Sequence, residues 1–394
     1  MTMDFMNGRD DVRPKCAAHK HQQKVQNSDI SSKGLNDISL QSLNVRGLLE
    51  KNKRRSLLSY VKNQKADIIF LQETHFTTET KDVLSREWQG PCFQAFGSNC
   101  SRGVAILIKP SASFMLIDCK YLDSNGRTLL LNCTIDDIEL CLVNIYAPNK
   151  VKERNNFIVK LSDWLSSLDP TNLICGGDIN CVLNPELDKK GGRLDTAGRS
   201  AKVVKKLCSR LEICDAYRLA NPTTQQFTWR NLTKNVACRL DFWLIHKTLV
   251  GKIDKCDIRP AILTDHQAIF LKLKFHNYAR GPGTFKLNVD LLRDKEYFEN
   301  ICNLIQQESN KNTTSNRDKL DLCIIKVAEF SKQYGAKKAR ESREQIERLE
   351  KKVSFLQNEI DKNPTNDNIL SYKQAQSRLE DLYMKKITWS ICKS

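Results

Sequence analysis

The chain has no apolar run close to the ~18 residues that a membrane-crossing helix requires, and no transmembrane segment is expected in its 394 residues. Its start, MTMDFMNGRDDVRPKCAAHKHQQ, has no apolar stretch either, which argues against a secretory leader. The cysteines lack the marks of a disulfide framework or a zinc site. There are 15, an odd number, scattered and with no C-x-x-C pair. Several, such as Cys141 and Cys175, lie inside apolar runs where a thiol acts as a small hydrophobe. The expectation is therefore reduced thiols in a nuclear protein, or one held in the cytoplasm before nuclear entry, and not a secreted one. Acidic charge is also short: 63 Lys and Arg face 46 Asp and Glu, a formal net charge of +17. Most of that excess falls between residues 37 and 276, as a polyanionic substrate would require.

Residues 1–36 are polar and without periodicity and are expected to be disordered. From 37 to 276 apolar runs alternate with amphipathic stretches. Strands are expected at 38–45, 66–73, 103–110, 128–135, 138–148, 172–180, 227–230, 239–246, near 256–258 and at 268–275, with helices at 50–64, 152–168 and 198–213. Hairpin spacing mixed with helical crossovers in one long segment implies an α/β fold, two packed sheets with helices outside. Beyond Phe275 the character changes. A turn-rich link, GPGTFKLNVDLL (281–292), leads to helices at 294–308 and 318–361, a break at NPTND (363–367), and a last helix at 368–392. Residues 277–394 are thus expected to be a linker and an αα-hairpin.

Four polar motifs sit at or near the ends of apolar runs: QET (72–74), GGDIN (176–180), RLDF (239–242) and TDH (264–266). Hydrolysis of a phosphodiester must neutralise charge on the nonbridging oxygens, activate a water and stabilise the leaving oxygen. Mg²⁺ takes oxygen ligands and keeps several waters, so few carboxylates suffice. Glu73, closing the IIFLQE run, suits a metal ligand. In GGDIN the glycines allow a tight turn, and Asp178 and Asn180, two apart, can project into one cleft, the first taking a proton and the second donating to a phosphate oxygen. Asp265 beside His266 pairs a metal ligand with a side chain that titrates near neutrality. Asp241 is the candidate to orient that imidazole. The other five histidines, His19, His21, His75, His246 and His276, lack such company. Asn44 and Tyr146 are further candidates, and Arg102, Lys109, Lys189, Lys190, Arg193 and Arg230 are candidate phosphate contacts.

With these motifs in view, the chain resembles the endonuclease/exonuclease/phosphatase superfamily, and within it the apurinic-endonuclease-like domain of LINE-type retrotransposons. SLNVRGL, DIIFLQET, GVAILI, VNIYAP, GGDIN, FTW, RLDFWLI and TDH follow that family's order from about residue 38 to 275. The resemblance implies a four-layer α/β sandwich and Mg²⁺-dependent cleavage of DNA, with Mn²⁺ as a substitute and one or two ions. It assigns Asn44, Glu73 and Asp265 to the metal, and Asp178 to proton exchange with the water. Tyr146 and Asn180 fall to the phosphate, Asp241 to His266, and Thr228 to the vicinity of the scissile phosphate. Asp178, Asn180 and His266 would surround a second metal position. The departures are Thr264 where serine is usual and Cys238 before RLDF where serine is common. The residues after 276 are similar to the region joining endonuclease to reverse transcriptase, which implies a fragment whose partners are DNA and, further, element RNA or an absent polymerase. The implied activity is single-strand nicking that leaves a 3′-hydroxyl. Abasic-site or 3′-exonuclease repair activity, and a catalytically idle DNA-binding remnant, are the alternatives.

Overall fold

The computed structural model describes residues 37–97, 101–192, 200–275, 289–310 and 315–391. Segment 1–36, the boundary expected at 276/277 and Arg193 lie outside these residues. The chain divides into two compact units, one reaching Tyr278 and the other starting at Ala279.

The first unit is built on two six-stranded sheets. In the first, β1 (Ile38–Asn44) and β2 (Ile68–Gln72) run parallel at the centre. They are flanked by β15 (Ala268–Leu273) and β14 (Ile253–Arg259) on one side and by β4 (Val104–Ile108) and β3 (Cys92–Ala95) on the other. In the second, β7 (Ile138–Tyr146) and β8 (Leu173–Asp178) are the parallel pair. Beside them lie β13 (Asp241–His246) and β10 (Ile213–Asp215) on one side, β6 (Thr128–Ile135) and β5 (Phe114–Lys120) on the other. A parallel pair cannot be closed by a hairpin and needs a crossover. Helices α1 (Lys51–Asn63) and α3 (Val151–Leu168) supply the two crossovers. Glu50 caps α1, its carboxylate accepting from the N–H groups of Asn52 and Lys53.

Apolar residues from the facing sides of both sheets fill the centre, among them Leu40, Phe70, Ile106, Leu131, Leu142, Ile174, Trp243 and Leu271. A second cluster joins the outer face of the second sheet to α3 and to a helix at Ala201–Arg210, through Phe157, Leu161, Leu165, Val204 and Leu207. The result is two packed sheets with helices outside, as the strand pattern implied, and the four-layer α/β sandwich that the resemblance implied. Helix α2 (Lys81–Trp88), β3 and β5 were not foreseen. In β5 the solvent face carries Met115 and Ile117, so the polar–apolar alternation that marks a half-buried strand is missing. A small third sheet, β11 (Trp229–Asn231), β12 (Val236–Cys238) and β9 (Lys189–Lys190), carries the FTW motif.

The second unit is helical: Lys295–Ser309, Asn316–Lys362 and Asn366–Ile391. The bounds of these three helices fall within two residues of those expected. Ile346, Val353 and Ile360 on the long helix and Tyr372, Ala375, Leu379 and Tyr383 on the last are buried. Among the described residues no helix is long and apolar enough to cross a membrane.

Candidate active site

Both parallel pairs end at the same edge. Asn44 stands beside Gln72 at the end of β1 and β2, and Tyr146 beside Asp178 at the end of β7 and β8. Beyond these strand ends the backbone is forced into unusual conformations. Up to Gln72 and Val104 the β2–β4 ladder is regular, but the next bonds run from Thr74 N to Gly103 O (3.0 Å) and from His75 N to Arg102 O (2.8 Å). One extra residue, Glu73, is therefore bulged out of β2, with φ +54°. Arg46, His75, Arg102 and Asn180 also have positive φ. Such left-handed non-glycine residues cost about 1–3 kcal/mol each and gather where a site needs them. At Gly177 (φ +129°) a Cβ would lie 2.1 Å from Ile145 O, so only glycine lets β8 close against β7 there.

The side chains then converge. Asn44 Nδ2 donates to Glu73 Oε1 (2.9 Å) and to Asp178 Oδ2 (3.0 Å), joining the two sheets. Asp178 Oδ1 accepts from Asn180 N (2.9 Å), while Asn180 Nδ2 donates to Ala147 O (2.9 Å). His266 Nδ1 is 2.8 Å from Asp241 Oδ2, and its Nε2 faces Asp178 Oδ2 at 3.9 Å, too far for a direct hydrogen bond. The TDH loop is tied to β1 by Thr264 Oγ1, which donates to Asn44 O (2.8 Å). Asp265 Oδ2 accepts from Trp229 Nε1 (3.1 Å) and from Arg46 Nη1 (3.1 Å).

Charge is distributed unevenly over this group. Burial alone would raise the Glu73 pKa, but hydrogen bonds from His75, Asn44 and Tyr146 outweigh it and hold the carboxyl down at about 2. Tyr146 moves the opposite way: burial, then the nearby Glu73 and Asp178 charges, keep it a neutral phenol. Asp178 is pushed well above the carboxylate range by burial and by Asp241. Burial opposes an imidazolium at His266, yet the charge and hydrogen bond of Asp241 prevail and hold its proton far above the usual imidazole pKa. A buried proton donor thus lies beside a carboxyl group poised to gain or lose a proton.

The donor chemistry fits a hard divalent cation. Glu73 and Asp265 keep part of their carboxylates exposed. Asp178, Asp241 and His266 place ligand atoms within 4.8 Å of one another, and Asp241 Oδ1 is buried without a hydrogen-bond partner. Oxygen-rich, under-satisfied clusters of this kind suit a divalent cation that prefers oxygen ligands.

Asn44, Glu73, Tyr146, Asp178, Asn180, Asp241, Asp265 and His266, all singled out from the sequence, therefore meet in one place. Thr228 lies directly behind them. It is fully buried, and its hydroxyl accepts from Leu240 N (2.9 Å) and Asp241 N (3.2 Å), fixing the start of β13. Arg102 donates to Asn125 Oδ1 (3.3 Å). Arg230 turns back on its own segment, bonding Phe227 O (3.3 Å) with its guanidinium 5.5 Å over the Phe227 ring. Lys189 and Lys190 are in β9, and Lys109 pairs with Asp67 (3.0 Å). His75, set aside above, has its Nε2 3.6 Å from Glu73 Oε2. Arg46, Trp229 and Arg127 were also missed. Arg127 lies 5.1 Å over the Tyr146 ring and donates to Tyr146 O (3.1 Å). His75 and Trp229 adjoin recognised motifs, QET and Thr228, and that adjacency was the available signal.

The chain is similar to several known proteins. The chain is 26% identical over 267 residues to the uncharacterized 149 kDa protein of transposon TX1 from Xenopus laevis, covering 67% of this chain and 20% of that protein. It therefore spans about a fifth of that relative. An exodeoxyribonuclease of Bacillus subtilis (strain 168) is 25% identical over 249 residues, 58% of this chain and 96% of the relative. Among solved structures, the AP endonuclease LMAP of Leishmania major superposes with a TM-score of 0.55 at 17% identity, over 61% of this chain and 89% of its own. An AP endonuclease from Archaeoglobus fulgidus gives 0.51 at 18% identity, over 60% and 100%. These two share the fold. The profile of one family spans residues 42–266, more than half of the chain and every motif from Asn44 to His266, so the chain belongs to the Endonuclease/Exonuclease/phosphatase family.

Proposed function

We propose that the chain is a Mg²⁺-dependent DNA endonuclease of a LINE-type retrotransposon, nicking one strand and leaving a 3′-hydroxyl. The observation that carries this reading is the contact of Asn44 with both Glu73 and Asp178, opposite a His266 that Asp241 orients. The transposon relative and the basic first unit support it.

Asn44, Glu73 and Asp265 would hold Mg²⁺, or Mn²⁺ in its place, which when bound neutralises charge on the phosphate and lowers the pKa of water. The chain's own residues do the rest. Asp178 takes a proton from the attacking water, its raised pKa matching it to that exchange near neutrality. His266, protonated and held by Asp241, donates across its 3.9 Å gap toward the phosphate oxygen that gains charge. Asn180 and the neutral Tyr146 hydroxyl donate to the remaining oxygens. Arg102 and Arg230, with Arg127, contact the DNA backbone, and Thr228 keeps Asp241 in register. If a second ion binds, Asp178, Asn180 and a His266 deprotonated at Nε2 would surround it in place of that proton donation. Residues 37–276 form the nuclease domain, 277–394 a linker and helical hairpin, and the place of action is the nucleus. Element RNA and a reverse transcriptase are proposed partners.

Nicking of supercoiled plasmid tests this reading, with Mg²⁺ or EDTA and Glu73→Ala beside the wild type. Mg²⁺-dependent open circles, absent in the variant, support it. Bound but uncut plasmid would favour the idle remnant. The exodeoxyribonuclease relative, matched over 96% of its length, favours a second activity, cleavage at abasic sites or from 3′ ends. An abasic oligonucleotide as substrate separates the two.

A further inference from the structure

Directly beneath the site, in a layer otherwise dominated by apolar side chains, three polar side chains are buried between the sheets: Ser42, Gln72 and Asn144. They form a connected network. Gln72 Nε2 donates to Asn144 Oδ1 (2.7 Å) and to Ser42 Oγ (3.0 Å). Asn144 Nδ2 donates to two main-chain carbonyls of the opposite sheet, Leu71 O (3.0 Å) and Ala105 O (2.8 Å). Gln72 and Asn144 are 0% exposed, so this network meets no solvent and no substrate.

Its position in the chain is specific. Gln72 precedes the bulged Glu73, Asn144 comes two residues before Tyr146, and Ser42 two before Asn44. Gly177, the residue before Asp178, would place a Cβ 3.1 Å from Gln72 Nε2, so the GGDIN glycine leaves the space that the Gln72 amide fills. Asn144 also grips β2 and β4 at Leu71 and Ala105, just before their ladder slips to bulge out Glu73. Buried polar groups stabilise less than apolar packing would, but their directionality fixes one arrangement of the elements they join.

We infer that Gln72, Asn144 and Ser42 are positioning residues: a polar bracket that sets the offset between the two sheets and hence between Asn44–Glu73 on one and Tyr146–Asp178 on the other. The inference rests on the proposed nuclease reading for its catalytic consequence. Misplacement of a reacting group by about 1 Å can cost ~10²-fold in rate, so a bracket acting this way affects turnover far more than DNA affinity.

The test compares wild type with Gln72→Met, which keeps the volume and removes the amide, and with Ser42→Ala, which removes one bond and leaves the fold secure. Nicking kcat and KM, thermal midpoint and Mn²⁺ affinity by calorimetry without DNA are measured for each. The expected result for Gln72→Met is kcat lower by roughly 10–100-fold at unchanged KM, with weaker Mn²⁺ binding and a thermal midpoint near that of wild type. Ser42→Ala shifts kcat and Mn²⁺ affinity in the same direction by less. Unchanged kcat and unchanged Mn²⁺ affinity in folded Gln72→Met, whatever its stability, would overturn the inference. If Gln72→Met does not fold, the same outcome in Ser42→Ala overturns it. A wild type that fails to nick rejects the nuclease reading instead, and the Mn²⁺ affinities then decide the bracket alone.

Discussion

Two clusters of buried charge lie on either side of Leu240, and they are built on opposite terms. Arg239 is 1% exposed, yet every guanidinium nitrogen is bonded. It reaches Asp188 (2.8 and 2.9 Å) and Asp215 (3.1 and 2.6 Å), and stacks 4.3 Å over the Phe242 ring. Arg218 adds a further bond to Asp188 (2.5 Å). Two residues later, Asp241 faces Asp178 and His266 with one oxygen unpartnered and a 3.9 Å gap left between His266 and Asp178. Desolvated charges must be compensated. The first cluster pairs both carboxylates with guanidinium groups from within, and Arg218 Nε is its one buried donor without a partner. The second is incomplete, its protonation balance displaced, and gains from whatever binds. The first cluster is built to hold the chain together; under the proposed function the second is the working one.

The comparison can be broken at several points. The largest effect is expected for His266→Ala, with nicking down by roughly 10³-fold or more, since a positioned acid or base contributes ~10²–10⁴. DNA affinity by filter binding should stay within a few-fold, and equal losses of binding and cleavage would move His266 out of the chemistry. Next is Arg239→Met. Removing one partner of a buried pair costs about 3–5 kcal/mol, because Asp188 and Asp215 are left as uncompensated carboxylates. Urea unfolding reads this, and a loss under 1 kcal/mol would show that the cluster is not the anchor described.

A smaller effect is the pH dependence of the metal-free protein. Asp178 and His266 both have folded pKa values raised above their unfolded values, ordinarily 3.8 and 6.5. Each binds its proton more tightly in the folded state, so its stabilisation is complete below the unfolded value and lost as pH rises through the folded one. Urea midpoints in EDTA should therefore decline from about pH 4 upward into the alkaline range. A rise across that range would contradict the assigned directions. The smallest effect is expected for Arg102→Ala. Loss of one phosphate contact reduces the salt slope of DNA binding by about 1, and an unchanged slope would remove Arg102 from the interface.

Much of this was legible because the site residues sit where apolar strands stop. Glu73, Asp178 and Asp265 interrupt or follow runs whose burial is evident from composition, and polar groups there have few structural reasons to exist. The Arg239 cluster was not legible, since Asp188 lies 51 residues away in a loop that reads as solvated. Gln72 and Asn144 were hidden for a related reason: one polar residue in an apolar strand looks like its end, and only the packing of two sheets shows that it points inward. The bulge at Glu73 was equally invisible, because an inserted residue changes the pairing with β4 and leaves the local pattern intact. The foreseen half-buried strands were those with one polar face, and β5, apolar on both, escaped.

The most direct test of the account is Asp178→Asn, assayed for plasmid nicking in Mg²⁺ and for urea unfolding in the same preparation. Relief of repulsion with Asp241 offsets the lost acceptor facing Asn44, so stability should remain within about 1 kcal/mol of wild type. Nicking should fall to background. A variant that unfolds as readily as Arg239→Met, or one that still nicks at the wild-type rate, would contradict the claim that the incomplete cluster is the working one.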